Sequence, residues 1–316
     1  MKPLRVFWKI TKWSGLAILL GTLILSAVYL YPVLPDPEPG FLVRKGHIVN
    51  VQTTREWQQF DNHFQELTLA SDSGLQVEIS VRRPSRHSSP RPLVIILGGY
   101  GTGRHATELI STPQDVVIAS LTYPYSGDKR MSGIGLLENI PHIQQAMLDI
   151  TPAILLSLDY LYQQDYVDQQ QVELAGVSLG AFFVAIPAAL DKRIRRVWFV
   201  QGAGDPETIF DYRMVHRIES PWWRRQVASL IALLGNVHHL TPERWVSRIP
   251  PRQVVAINSR QDTTFPVSSV KALHDAIQTP REIIWLEGEH VMPSRQNVVK
   301  QLTDLVLARV KLGIQK

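Results

Sequence analysis

The chain has 316 residues, 45% of them hydrophobic, which is enough for one large α/β domain or two small ones. Four of the five units of its formal net charge of +5 come from the first twelve residues, where four basic side chains precede any acid, so a basic nucleic-acid-binding body is excluded. The absence of cysteine excludes disulfides, thiolate metal sites and cysteine nucleophiles.

The first predicted element is a transmembrane helix over residues 13–31. This run has no charged residue and is about long enough to cross a ~30 Å hydrocarbon layer. The basic tail, residues 1–12, favours a cytoplasmic N-terminus, and Trp13, Tyr29 and Tyr31 suit the two membrane interfaces. We expect an uncleaved signal anchor in a single-pass membrane protein, with the catalytic domain on the outer, periplasmic or extracytoplasmic side. A cleaved signal peptide is the alternative, although the run is longer than usual and no A-x-A site follows it.

A Pro-rich linker at 32–45 follows, before a domain at 46–316. The composition of its first part, "PVLPDPEPG" (32–40), predicts a stiff, extended spacer. Two runs in which apolar and polar residues alternate lie on either side of "SDSG" (71–74), and they predict a hairpin. Later, continuous apolar runs alternate with helical patterns; the runs are "LVIIL", "DVVIASL", "QVELA", "RVWFV", "QVVAINS" and "EIIWL". This alternation predicts an α/β fold, a mainly parallel twisted sheet with helices on both faces.

The interval 206–250 is too long for a loop and contains a predicted helix. Ser220 can cap that helix, Pro221 can occupy its first turn and Gly235 can end it. One interpretation is a helix packed on the main domain, and another is a cap insertion over an active site. Lipid contact is a third, because "WWRR" (222–225) suits a headgroup region.

The pentapeptide "GVSLG" places Ser178 between Gly176 and Gly180, after a predicted strand and before a helix-compatible run. A serine on such a sharp turn needs neighbours without side chains so that strand and helix can pass closely. The setting favours a nucleophile over a serine in an ordinary turn.

A nucleophilic serine needs a base, and the base needs an orienting acid, in the chain order Ser, Asp or Glu, His. Asp262 and His290 each follow an apolar strand downstream of Ser178, at the carboxyl ends where open parallel sheets bind ligands. Asp262 is the predicted acid and His290 the predicted base. Asp205, which ends an earlier strand, is the alternative acid.

Backbone N–H groups must also stabilise the oxyanion, and we expect them from Leu179 and Tyr100. The run Gly101-x-Gly103-x-x-Ala106 loosely matches a dinucleotide fingerprint, but no acidic residue ends the next strand, so nucleotide binding is disfavoured. Because no metal or phosphate-loop motif occurs, we expect no cofactor and no metal.

Over roughly residues 60–312 the chain resembles the α/β-hydrolase family, through "GVSLGA", "VVAINSRQDTTFP" and "IIWLEGEHV". The resemblance implies a nucleophile at Ser178, an acid at Asp262, a base at His290 and a cap within 206–250. It leaves the second oxyanion donor open between Gly99 and Tyr100.

A serine at the turn resembles the esterase, lipase, thioesterase and peptidase branches of that family. The expected function is therefore a membrane-anchored serine hydrolase, carboxylesterase-like, that cleaves an ester of a small-molecule or lipid-like acyl substrate through an acyl-enzyme. A serine peptidase or thioesterase of the same fold is an alternative. A catalytically inactive binding module is the alternative from another class.

Overall fold

The computed structural model describes residues 13–23, 26, 35–85, 89–99, 101–110, 115–127 and 134–312. Residues 13–23 are helical and expose most of their large apolar side chains. The tail at 1–12 and most of the predicted span after residue 23 lie outside the described residues. Within the described ranges, no helix combines the length and the apolar character needed to cross a bilayer.

Part of the predicted linker is a helix, α1 (Glu38–Lys45), packed on the domain. Phe41 is fully buried, with its ring centroid 6.2 Å from that of Trp245, and Arg44 pairs with Asp149 at 2.6 Å. The prediction of an extended spacer is therefore wrong from Glu38 onward. Proline in a first helical turn removes no hydrogen bond, and burial of the phenylalanine ring stabilises the docked helix.

In the described part of the chain, nine strands form one mixed sheet in the order β1-β2-β3-β5-β4-β6-β7-β8-β9. The strands are β1 (Ile48–Gln59), β2 (Asn62–Ser71), β3 (Gln76–Pro84), β4 (Arg91–Leu97), β5 (Val117–Leu121), β6 (Val167–Val177), β7 (Arg196–Val200), β8 (Gln253–Ser259) and β9 (Arg281–Leu286). β1, β2, β3 and β5 pair antiparallel, whereas β4 pairs parallel with β5 and β6, and the pairing stays parallel through β9. The predicted hairpin at 71–74 joins β2 and β3.

Helices lie between the strands from β5 to β9, and a last helix follows β9. They are α2 (Ile134–Leu161), α3 (Ala185–Leu190), α4 (Pro206–Arg213), α5 (Pro221–Leu234), α6 (Val237–Leu240), α7 (Pro242–Val246), α8 (Val267–Ala276) and, after β9, α9 (Gln296–Leu312). The four helices α4 to α7 occupy the interval for which the cap was predicted, and Ser220 caps α5 by accepting the N–H of Trp223 at 3.5 Å.

Alternate side chains of each central strand enter two separate cores. Leu93 of β4 packs with Ile154 of α2 on one face, together with α1, α3, α7 and α8. Val94 belongs to the core on the other face, which also contains Leu302 of α9, and among the described residues α9 is the only long helix there. The predicted sheet with helices on both faces is confirmed. Because the strands from β4 to β9 are parallel, their carboxyl ends meet at one edge.

Candidate active site

Ser178 lies on a strained turn directly after β6. Its φ is 54°, in the left-handed region that a residue with a side chain rarely adopts. A Cβ added at Gly176 would lie 2.6 Å from the Cα of Ala181, and one at Gly180 would collide with the backbone of Leu97. Both flanking glycines are therefore required for the strand, the turn and the neighbouring strand β4 to pass closely.

The three predicted side chains are brought together in one hydrogen-bonded row. Ser178 Oγ lies 2.7 Å from His290 Nε2, and His290 Nδ1 lies 2.7 Å from Asp262 Oδ2. A carboxylate accepts only, so Nδ1 carries the hydrogen and Nε2 is left to accept the serine hydroxyl. The row can thus remove a proton from Ser178.

The acid and the base are held rigidly where their strands end. Asp262 follows β8, and its Oδ1 accepts the N–H of Thr264 at 2.7 Å. His290 follows β9, and its ring packs edge-on against Phe265 at a centroid distance of 5.3 Å. The side chains of His290 and Asp262 are only 8% and 4% exposed, so solvent screens their interaction weakly.

The turn after β4 lies against the nucleophile. A Cβ at Gly99 would be 3.5 Å from the Cβ of Ser178, and the Gly99 carbonyl accepts both the N–H (3.1 Å) and the hydroxyl (2.7 Å) of Thr102. Leu179, one predicted oxyanion donor, follows Ser178 in the 3₁₀ turn Ser178–Phe182. Tyr100, the other, lies outside the described residues.

Asp205, the alternative acid, has a different environment. Its carboxylate caps α4 by accepting the N–H of Thr208 at 3.2 Å, and it also accepts the hydroxyl of that residue. Of the two candidate acids, the structure places Asp262 on the imidazole.

Gln201, which the sequence analysis did not single out, connects the histidine loop to the sheet. It follows β7, is fully buried and has a φ of 48°. Its Nε2 donates to Ser259 Oγ at 2.6 Å and to the carbonyl of Glu289 at 3.3 Å, and its Oε1 accepts the N–H of Val291. The residues on both sides of His290 are thereby fixed to the ends of β7 and β8. The only sequence signal was a polar residue at the end of an apolar strand.

One carboxylate and histidine cluster among the described residues has ligand atoms close enough for a metal ion: Glu66, His105 and Glu108, within 4.8 Å of one another. Arg104 lies at the same place, with its Nε 3.7 Å from Glu66, and it also pairs with Glu78. A guanidinium competes with any cation for these carboxylates. The cluster shares no residue with the row at Ser178.

Comparison with known proteins places the fold. No family model matches the sequence, and no curated protein matches it. Among solved structures, acetyl xylan esterase 1 from Thermoanaerobacterium sp. JW/SL YS485 superimposes with a TM-score of 0.61 at 15% identity, covering 86% of this chain and 94% of that one. An acetyl xylan esterase from Paenibacillus sp. R4 gives 0.57 at 16% identity, covering 89% and 92%.

A third similar structure is named as an alpha/beta hydrolase, GrgF, from Penicillium sp. sh18. It superimposes with a TM-score of 0.52 at 14% identity and covers 78% of this chain and 98% of that one. The order of the parallel strands, the serine turn after β6 and these similarities agree. The chain has the α/β-hydrolase fold.

Proposed function

We propose that the protein is a serine hydrolase that cleaves a carboxylic ester through Ser178, His290 and Asp262. The observation that carries the proposal is the unbroken row of hydrogen bonds from Ser178 Oγ through the imidazole to Asp262. A turn serine with a structural role alone has no need of a buried base and a buried acid aligned behind it.

In the first half-reaction, Ser178 Oγ attacks the ester carbonyl while His290 Nε2 takes the hydroxyl proton. The carbonyl oxygen becomes an oxyanion, which the N–H groups of Leu179 and of the turn after β4, at Gly99 or Tyr100, stabilise. The carbon–oxygen bond to the alcohol then breaks, His290 returns the proton to the departing alkoxide, and an acyl-Ser178 ester remains.

In the second half-reaction, His290 takes a proton from water, and the resulting hydroxide attacks the acyl carbonyl. The bond to Ser178 Oγ breaks, and His290 returns the proton to it, so that a carboxylic acid leaves and the serine is restored. Asp262 stays ionised throughout, holding Nδ1–H and stabilising the transient imidazolium.

The names of the similar structures favour an ester over a thioester or a peptide. Two of them are acetyl xylan esterases and a further one is a glucuronoyl esterase. A serine peptidase or thioesterase would use the same three residues, so comparing p-nitrophenyl ester, thioester and peptide substrates on one enzyme preparation decides among them. An inactive binding module is disfavoured by the direct contact between Ser178 and His290.

The proposal is tested by steady-state hydrolysis of p-nitrophenyl esters. We expect activity in the wild type, loss of at least about 10³-fold in Ser178→Ala, and wild-type activity in Ser247→Ala. Ser247 is an exposed serine whose hydroxyl donates to the nearby carbonyl of Arg244 at 3.4 Å, and it is the matched control. Equal activity in Ser178→Ala and the wild type contradicts the proposal.

We also propose that residues 13–31 anchor the protein in a membrane, with the N-terminus in the cytoplasm and the catalytic domain outside. Support comes from the charge-free apolar sequence, the basic tail and the exposure of large side chains such as Ile18 (70%) and Leu19 (58%) on the described helical turns. Side chains of this kind are covered when the segment lies in lipid.

Two measurements test the anchor. Arginine near the middle of a membrane helix costs about 3 kcal/mol per residue, so Leu19→Arg with Leu23→Arg should release the full-length protein from carbonate-washed membranes. A reporter enzyme that works only outside the cytoplasm should be active when it is fused after Lys316. Activity of a fused reporter that works only in the cytoplasm contradicts the topology. A mature protein whose N-terminus lies beyond residue 31 shows that the segment is a cleaved signal and not an anchor.

A further inference from the structure

An apolar cavity of about 450 Å³ opens at Ser178 and His290 and extends along the face of the sheet opposite α2. Its floor is formed by Val94 of β4, Ala175 and Val177 of β6 and Val200 of β7. Its volume lies within the ~300–1,000 Å³ range of small-molecule sites. The cavity is therefore large enough for part of a substrate.

The roof is one face of α9, contributed by residues three or four positions apart: Val299, Leu302, Thr303, Val306 and Leu307. Ala106 and Ile110, from the segment after β4, close one side. That segment has only a short 3₁₀ turn (Gly103–Thr107) among its described residues, so no long helix fills the space beside α9. The space remains open because the sheet floor also carries a small side chain, Ala175.

Two independent lengths measure the depth of the cavity. Val94 of β4 and Gly98, which directly follows β4, both line it and are four residues apart, which corresponds to about 13 Å at ~3.3 Å per residue. Val299 and Leu307 are eight residues apart on α9, which corresponds to about 12 Å at ~1.5 Å per residue. An extended carbon chain advances about 1.25 Å per bond, so a chain of about ten carbons spans this length.

The reacting side chains of Ser178 and His290 define the mouth of the cavity. Thr264, whose N–H donates to Asp262, and the exposed Arg213 also line it, and Arg213 is the one charged residue among the described lining residues. The other polar lining residues are two threonines, Thr102 and Thr303. A polar alcohol fits this rim, next to the imidazole that protonates it. The carbonyl carbon of the acyl group is bonded to Ser178 Oγ, so the acyl chain starts at the entrance to the apolar part.

We infer that the cavity beneath α9 binds the acyl chain of the substrate, and that the enzyme is selective for esters of straight aliphatic acids of about ten carbons. This inference rests on the proposed ester hydrolysis at Ser178. Each buried methylene contributes about 0.8 kcal/mol, equivalent to about a fourfold gain in kcat/KM.

The experiment measures kcat/KM of the full-length enzyme for p-nitrophenyl acetate, butyrate, octanoate and palmitate, and for methyl, butyl and octyl acetate. We expect octanoate to exceed butyrate at least tenfold. Palmitate should fall below octanoate, because the cavity spans only about 12–13 Å along the strand and along α9, less than a sixteen-carbon chain needs. Chain length in the alcohol should change kcat/KM less than threefold.

Val306→Phe places a larger side chain in the cavity, and Leu305→Phe makes a similar change at a partly buried position of α9 that does not line it. The ratio of octanoate to acetate should fall at least tenfold in Val306→Phe and stay at the wild-type value in Leu305→Phe. Ala106→Phe is the second blocking variant if Val306→Phe does not fold, as judged by circular dichroism.

The inference is overturned if an active enzyme prefers acetate over octanoate, if its selectivity lies in the alcohol chain, or if folded blocking variants keep the wild-type ratio. Absence of activity on every ester, together with absence of covalent labelling of Ser178 by a fluorophosphonate, is a failure of the proposed function instead. The two failures are thus distinguishable.

Discussion

Replacing Gln201 with alanine removes the hydrogen bonds that fix the loop carrying His290. The side chain connects Ser259 at the end of β8 with the Glu289 carbonyl and the Val291 N–H, the two neighbours of the histidine in the chain. Without it, the loop loses its attachment to the ends of β7 and β8, although Asp262 still contacts the imidazole.

The magnitude follows from these contacts. Three buried hydrogen bonds at about 1 kcal/mol each give an expected loss of about 3 kcal/mol in the free energy of unfolding. A displacement of the base by about 1 Å costs about 10²-fold in rate, so we expect kcat to fall about 100-fold while KM changes less than threefold. KM should change less than kcat because Gln201 does not line the substrate cavity.

The assay is ester hydrolysis at a temperature where circular dichroism shows the variant folded. Gln201→Met keeps the side-chain volume but not the hydrogen bonds, and it should lose kcat like Gln201→Ala. Gln169, an exposed glutamine whose Nε2 donates to the Tyr162 carbonyl at 2.8 Å, provides the control variant Gln169→Ala. A folded Gln201→Ala enzyme with kcat within twofold of the wild type refutes a positioning role.

Asp262→Asn should lower kcat about 10³- to 10⁴-fold with little change in KM, because an amide does not hold His290 in the tautomer that accepts the serine proton; kcat within tenfold of the wild type contradicts this role. Gly180→Ala should cost about 1–3 kcal/mol in chemical denaturation and abolish most activity, since the added methyl collides with β4, whereas Gly40→Ala, with nothing within 4 Å, should not destabilise the protein. Burial lowers the pKa of His274 from 6.5 to about 4. As the pH falls below 6.5, the unfolded chain binds a proton that the folded chain does not, so the free energy of unfolding should drop about 2 kcal/mol between pH 7 and pH 5 by this residue alone. In His274→Gln, the drop in the free energy of unfolding between pH 7 and pH 5, measured by urea titration, should be smaller than in the wild type by that amount. An equal drop in the two proteins refutes the attribution to His274.

The fold and the candidate site were predictable from the sequence wherever local chemistry decides the structure. The glycines flanking Ser178 are demanded by sterics, and the apolar strands before Asp262 and His290 place both residues at the same edge of a parallel sheet. The fold prediction also depended on doubly apolar strands alternating with helical patterns, which only a sheet covered on both faces requires.

Features that depend on long-range packing were not predictable. Strand β1 is mostly exposed, so it carries no buried alternation, and its pairing with β2 is what orders it. The local sequence predicts an extended spacer where helix α1 begins. The helix docks through the burial of Phe41 against Trp245, which lies about two hundred positions further along the chain. The cavity beneath α9 exists because the segment after β4 supplies no long helix, among its described residues, to fill the space beside α9. No local sequence pattern predicts such an open space.

Covalent labelling of the full-length protein by a fluorophosphonate, followed by intact mass and peptide mapping, tests most directly whether Ser178 is a nucleophile. We expect one adduct per chain, located on Ser178, that is absent in Ser178→Ala and formed much more slowly in His290→Ala. An adduct on another residue, or undiminished labelling of Ser178→Ala, contradicts this expectation.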